Sequence, residues 1–156
     1  MLREFRVNSA DAPSAMFKAN VALKTGMGVI KDYANGLAKL PTATTADGIF
    51  LVSKMPYPTG KDAAIEDFSD YYEPFNTVAQ DELVVLYSYR DDSAFGTDQY
   101  DTSALTAAAA PLYVAVGTDG KWTTATGNSK YLFTKLYDDA GHTLAHIEVV
   151  EPGSNA

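Results

Sequence analysis

The chain has no cysteine among its 156 residues, two histidines and a single tryptophan. Without cysteine there is no disulfide framework, no thiol nucleophile and no thiolate-ligated metal. Stability must come from the core, and a chain of this length can bury one as a single domain. No apolar run approaches the ~20 residues of a membrane-spanning helix. Residues 1–20 lack the basic, apolar and small-residue order of a secretion signal, so an intracellular product is expected. Basic residues are scarce as well: 12 Lys and Arg against 20 Asp and Glu leave a net charge of −8. Nucleic-acid phosphates call for clustered cations; these are scattered, which argues against such a partner. Nucleophile-elbow, phosphate-loop and dinucleotide-binding patterns are missing too. No enzymatic activity, catalytic residue or cofactor is therefore expected.

Two groupings could carry metal chemistry, and spacing tells against both. His142 and His146 are four apart, which on a helix could hold a metal, but the surrounding pattern is that of a strand. There, residues i and i+4 lie about 13 Å apart, too far for one ion. Carboxylates gather at Asp62, Glu66, Asp67, Asp70 and Glu73, and again at Asp91, Asp92, Asp98 and Asp101. Calcium-loop spacing is absent and a paired-carboxylate hydrolase needs a larger cleft, so both read as solvated acidic faces.

What the sequence holds in abundance is β signals. Residues 111–126, PLYVAVGTDGKWTTAT, read as two strands around Asp119-Gly120, a pair suited to a two-residue type I′ turn. That register sets Val116 against Thr123, Val114 against Ala125, and Trp122 across from Gly117, where an aromatic ring covers a glycine. Trp122 thus reads as a structural cover rather than a binding platform. Residues 2–7 alternate as a short strand or extended arm. Residues 16–24 fit no helical face well and lean towards extended chain. Residues 26–31 read as a strand, Asn35-Gly36 as a hairpin turn, and Asp47-Gly48 introduces the apolar run Ile49, Phe50, Leu51 and Val52.

Residues 61–72 are the best helix candidate, ended by Glu73-Pro74-Phe75. Residues 81–89 read as a long central strand, residues 90–101 as a polar loop, and the four alanines 107–110 as a loop or single turn. The closing hairpin, residues 130–150, admits two registers. A four-residue loop groups Leu132, Leu136, Ala145, Ile147 and Val149 on one face and is preferred as the more evenly aliphatic. A three-residue loop instead groups Tyr131, Phe133 and Tyr137 with Ala145, Ile147 and Val149. The expected fold is mainly β: a single-domain antiparallel β-sandwich or barrel-like fold with at most one or two short helices. It divides into residues 1–25 as an extended N-terminal arm or edge strand, 26–150 as the β domain and 151–156 as a flexible tail.

Ten tyrosines and seven phenylalanines lie partly in polar surroundings. Phe68, Tyr71, Tyr72 and Phe75 make one group; Tyr87, Tyr89, Phe95 and Tyr100 make another. Such aromatics either fill a sandwich core or meet a protein partner.

The succession TGMGVIKDYANGLAKLP, TTADGIFLVSK, DQYDTSALT and PLYVAVGTDGKW, closed by a hairpin, resembles the decoration (cement) proteins on the heads of tailed bacteriophages. The likeness covers residues 25–150 in layout. The run of alanines at 107–110 departs from it, since a Gly-containing turn is expected before residues 112–116. The resemblance implies a small acidic structural protein of the virion, made in the host cytoplasm and seated on the outer capsid surface. Its partners would be the major capsid protein and copies of itself, a trimer being one arrangement, with no nucleic acid and no membrane. Binding across several capsid subunits would add cohesion to the shell. The candidate contact residues are Phe5, Val7, Phe68, Tyr71, Tyr72, Phe75, Phe95 and Tyr100, with residues 2–7 able to add a strand to a neighbour. The alternative reading is a glycan- or receptor-binding β module of a virion fibre or adhesin.

Overall fold

The computed structural model describes residues 1–8, 13–54 and 70–156. In chain order the strands are β1 (Leu2–Arg6), β2 (Ser14–Ala19), β3 (Leu23–Lys24), β4 (Gly28–Asp32), β5 (Leu37–Lys39) and β6 (Phe50–Ser53). After a short helix α1 (Glu73–Asn76) come β7 (Thr77–Val78), β8 (Leu83–Tyr87), β9 (Ala94–Thr97), β10 (Leu112–Val116), β11 (Trp122–Thr124), β12 (Ser129–Asp139) and β13 (His142–Gly153). The fold is mainly β, as expected, and it combines a sheet with a barrel. Six strands form an antiparallel sheet in the order β1-β9-β13-β12-β10-β11. Five others close a barrel, β2-β5-β4-β6-β8, in which only β2 and β5 run parallel. A two-stranded ribbon of β3 and β7 completes the set.

Sheet and barrel share a wall. On β6, Leu51 packs into the core beneath the sheet and Val52 into the barrel interior. On β4 the same division separates Ile30 from Val29, and on β8 it separates Tyr87 from Leu86. Alternate side chains of one strand thus serve two cores. That is why the sequence before and through β6 is a continuous apolar run instead of an alternating one.

Both main hairpins differ in register from expectation. The β10–β11 loop is one residue longer than a two-residue turn. Gly120 N–H donates to Gly117 O at 3.0 Å, Gly117 N–H donates to Lys121 O at 2.8 Å, and Gly120 adopts φ +79°. Val116 therefore opposes Trp122, and Val114 opposes Thr124. A slip of one residue exchanges faces, so Trp122 leaves Gly117 and enters the core, where it is fully buried. The β12–β13 turn is a two-residue Ala140-Gly141 loop, both residues at positive φ, and neither expected register holds throughout. Leu136 opposes Ala145 near the turn. A bulge at Thr134 then shifts the pairing so that Phe133 opposes Ile147 and Tyr131 opposes Val149. The bulge swaps the inward face. Tyr131 and Phe133 are buried with Ala145, Ile147 and Val149, while Leu132 and Leu136 are only partly covered.

Other expectations are corrected. Residues 90–101 are no loop, since β9 lies within them, between β1 and β13 in the sheet. Residues 73–75 start a helix rather than end one; Pro74 sits in the first turn of α1, where its missing N–H costs nothing. The remainder of the expected helix, residues 61–69, lies outside the described residues. The alanines meet expectation, since Ala107–Ala109 form a single 3-10 turn that leads through a cis Ala110-Pro111 bond into β10. The tail is not frayed. β13 runs to Gly153, and the Asn155 amide accepts from Tyr113 N–H (2.8 Å) and donates to Tyr113 O (2.8 Å) and Ala125 O (3.3 Å). Of the two readings for the N-terminus, residues 2–6 take that of an edge strand. Residues 1–25 are woven into the sheet by β1, the barrel by β2 and the ribbon by β3.

One loop residue ties sheet to barrel. Gly26 O accepts from the Thr97 hydroxyl at 3.0 Å and from the Trp122 indole N–H at 3.1 Å, while Gly26 N–H donates to Val52 O at 2.8 Å. Gly26 has φ +89°, and a Cβ there would stand 2.2 Å from Thr97 Oγ1 and 2.4 Å from Met1 O. Positive φ and overpacking both penalise a side chain at this point. Gly26→Ala is accordingly expected to lose about 3 kcal/mol in urea unfolding. Gly36→Ala, at φ +64° with open space around it, should lose only about 1–2 kcal/mol. Equal midpoints for the two variants would remove Gly26 from this role.

Candidate partner-binding surface

The outer face of the six-stranded sheet, turned away from the barrel, gathers side chains from β1, β12 and β13. On β1, Glu4 points inward and accepts from the Tyr89 hydroxyl at 2.5 Å. Burial, then that hydrogen bond, pushes the Tyr89 phenol far up. Phe5 points outward and lies over Gly96, where a Cβ would come within 2.7 Å of its ring. The aromatic-over-glycine device expected at Trp122 is thus built by Phe5 instead. The Phe5 ring also stacks on His146 (centroids 4.8 Å apart) and meets Tyr137 edge-on at 5.0 Å. Beneath, Thr134 Oγ1 lies 2.7 Å from His146 Nδ1, so the bulged residue fixes the imidazole.

A polar cluster continues the same face. Arg3 donates to Asp139 through Nε (3.2 Å) and a terminal guanidinium nitrogen (2.7 Å), and to Asp70 at 3.0 Å. The Tyr71 hydroxyl donates to Asp139 at 2.7 Å, and the Tyr71 ring stacks on His142 with centroids 3.7 Å apart. The Tyr71 and Arg3 donors hold the Asp139 carboxyl below the usual carboxylate range. Burial, with Asp139 beside it, raises the Tyr71 phenol. Charge-assisted bonds of this kind anchor the segment before α1 against the sheet.

Of the expected contact residues, Phe5 stands on this surface, 37% exposed; Val7, just past the end of β1, is 44% exposed. Tyr71 joins the surface through Asp139. Tyr72 and Phe75 are half-buried and pack edge-on against each other at 5.0 Å. Phe95 and Tyr100 are corrected: β9 carries Phe95 into the middle of the sheet, where it is fully buried against Tyr89, Trp122 and Tyr131, and Tyr100 is 9% exposed beside Trp122. They build the core and present nothing to a partner. Phe68 lies outside the described residues.

Sequence reasoning did not bring Arg3, Tyr137, His142 and His146 to this face. It also missed Met16, Tyr33 and Leu83 on the barrel, which are 84%, 76% and 56% exposed. The three-residue-loop register grouped Tyr137 with Ala145, Ile147 and Val149, and the structure places it on the opposite face. Among the described residues no group of three or more His, Asp or Glu is placed to hold a metal ion. The chain matches no protein-family model, no curated protein and no solved structure.

His146 makes this face sensitive to acid. Burial pulls its pKa below the ordinary 6.5; Glu148 opposes the shift, and Lys135 and Arg6 add to it. With the folded value depressed, the unfolded chain binds the extra proton. Stability is then whole above about pH 6.5 and drains as pH falls through the window down to the folded value. Melting temperatures of wild type and His146→Gln, followed from pH 8 to pH 5, should diverge in slope below about pH 6.5, with the variant flatter. Parallel curves would show that His146 does not titrate against folding.

Proposed function

We propose that the chain is a structural virion protein that binds the outer surface of a phage capsid and stabilises the shell by bridging capsomers. The observation that carries this reading is the seating of Phe5. Its ring is fixed on three sides by Gly96, His146 and Tyr137 and yet remains 37% exposed. An aromatic anchor already held in place loses little freedom on docking, which is what makes such residues dominate interface energies. Val7, two residues on, is the other exposed apolar side chain of this segment. The layout likeness to decoration proteins supplies the identity of the partner, a major capsid protein. The edge strand β1 is paired to β9 along its inner side, so docking here runs through side chains on a firm platform and not through a detached arm.

Purified protein mixed with undecorated, expanded heads is expected to co-sediment in stoichiometric amount. Val7→Asp and Phe5→Ser should each weaken that binding about tenfold or more, with Val7→Asp melting like the wild type. Wild-type protein left in the supernatant would overturn the reading.

A further inference from the structure

The turn between β4 and β5 carries reactive groups that neither the two cores nor the sheet face employs. Residues 33–36 join Asp32 to Leu37, the pair that closes this hairpin. Asn35 is the one asparagine of six that is followed by glycine. Asp32 holds the turn in shape. Its Oδ1 accepts from the main-chain N–H groups of Ala34 (3.1 Å) and Asn35 (3.2 Å), and its Oδ2 from the Asn35 side-chain amide (2.8 Å). Oδ2 also meets the Lys39 ammonium. Asn35 itself is exposed. Gly36 has φ +64°, and nothing lies within 4 Å of where a Cβ would stand. Its carbonyl accepts from Lys18 N–H at 2.9 Å, whereas among the described residues its own N–H has no hydrogen-bond partner. The Lys18 bond belongs to the parallel pairing of β2 with β5, one of the seams that close the barrel.

An amide N–H without a partner, next to a side-chain carboxamide and with no Cβ in the way, favours ring closure. Solvent hydroxide takes the Gly36 N–H proton and the nitrogen attacks Asn35 Cγ. The Cγ–Nδ2 bond then breaks, water protonates the departing nitrogen, and ammonia leaves a five-membered succinimide. Water opens that ring at either carbonyl, giving aspartate or isoaspartate, with no oxidant or cofactor required. The two Asp-Gly pairs are less suited, because an ionised carboxylate is a poor electrophile. At Asp119-Gly120 the Gly120 N–H is also committed to Gly117 O at 3.0 Å, and Asp119 Oδ1 accepts from Lys121 N–H at 3.0 Å. The other five asparagines precede residues that carry a Cβ. Among them, the Asn76 and Asn155 amides are tied to backbone groups.

We propose that Asn35 is a site of spontaneous deamidation, and that its isoaspartyl product opens the β2–β5 seam of the barrel. Conversion replaces an amide that donates to Asp32 by a carboxylate that repels it. The isoaspartyl link also lengthens the main chain by one carbon immediately before Gly36. That displaces the Gly36 carbonyl from the Lys18 N–H it now meets. The proposal stands apart from the shell-binding reading, since it concerns a covalent change in the free protein.

Full-length protein held warm at mildly alkaline pH, sampled over time by peptide mapping and mass spectrometry, tests it. Asn35 should convert ahead of the other five asparagines, faster as pH rises, with isoaspartate detected by enzymatic methylation. Gly36→Ala should slow the conversion about tenfold or more, since a Cβ hinders the attack. The converted fraction, separated by its added negative charge, should exchange the Lys18 amide hydrogen faster and melt about 3 °C lower or more. Asn35→Gln, kept under the same conditions, should retain its own starting melting temperature. Asn35 still intact in the folded protein after the urea-unfolded chain has converted would overturn the proposal, because the turn would then forbid the attack. Conversion spread evenly over all six asparagines would overturn it as well. Isoaspartate at residue 35 with unchanged Lys18 exchange and melting would remove the effect on the seam.

Discussion

The carbonyl oxygen of Gly26 joins two bodies of β structure. It receives the Thr97 hydroxyl from β9 and the indole N–H from β11, while the N–H of the same residue bonds to β6 of the barrel. A buried indole must find an acceptor, and the acceptor here is loop backbone that can approach only because no side chain intervenes. Both central and edge strands of the sheet are thereby referenced to the barrel wall. The inward residues of β4, β6 and β8 then divide between two cores. Neither core can loosen without exposing the other side of the same strands, so sheet and barrel stand as one cooperative unit.

Much of this was legible in the chain. Asx-Gly pairs marked turns at residues 35–36, 47–48 and 119–120, and the apolar run through residues 49–52 marked a strand. Register was not legible, because it depends on one residue more or less in a turn or ladder. The residue added to the β10–β11 loop moved Trp122 to the other face. The bulge at Thr134 divided the inward face of one hairpin between the two rival groupings, Leu136 facing Ala145 near the turn and Phe133 facing Ile147 beyond it. β9 was the least visible element. It offers one large apolar residue, Phe95, beside a glycine and behind two aspartates. Its strand character comes from β1 and β13 on either side, and the bare surface of Gly96 is filled by Phe5, distant in sequence. Neighbours from far along the chain, and not local propensity, make it a strand.

The binding surface shows the same division. Alternation in residues 2–7 set Phe5 and Val7 against Glu4 and Arg6, but an irregularity after Glu4 breaks it, and Arg6 pairs with Glu148 on the face that Phe5 occupies. Phe95 and Tyr100 looked like surface aromatics because their sequence neighbours are polar, and β9 buries them. Tyr137 and His146 reach the outer face only through the ladder and its bulge. The barrel cluster was hidden for a different reason: Ala15, Met16 and Phe17 are consecutive apolar residues, and nothing in their order tells which of them faces water.

The position of β9 has a consequence for how the chain is made. β1 leaves the ribosome before β9, and the two can pair once β9 has emerged. The far edge of β9 belongs to β13, which is synthesised later. During elongation that edge carries open backbone donors and acceptors, a template on which another nascent chain can add a strand. Aromatic packing around Phe95 is likewise incomplete until Ile147 and Val149 arrive. The edge of β9 therefore stays open until β13 has been made.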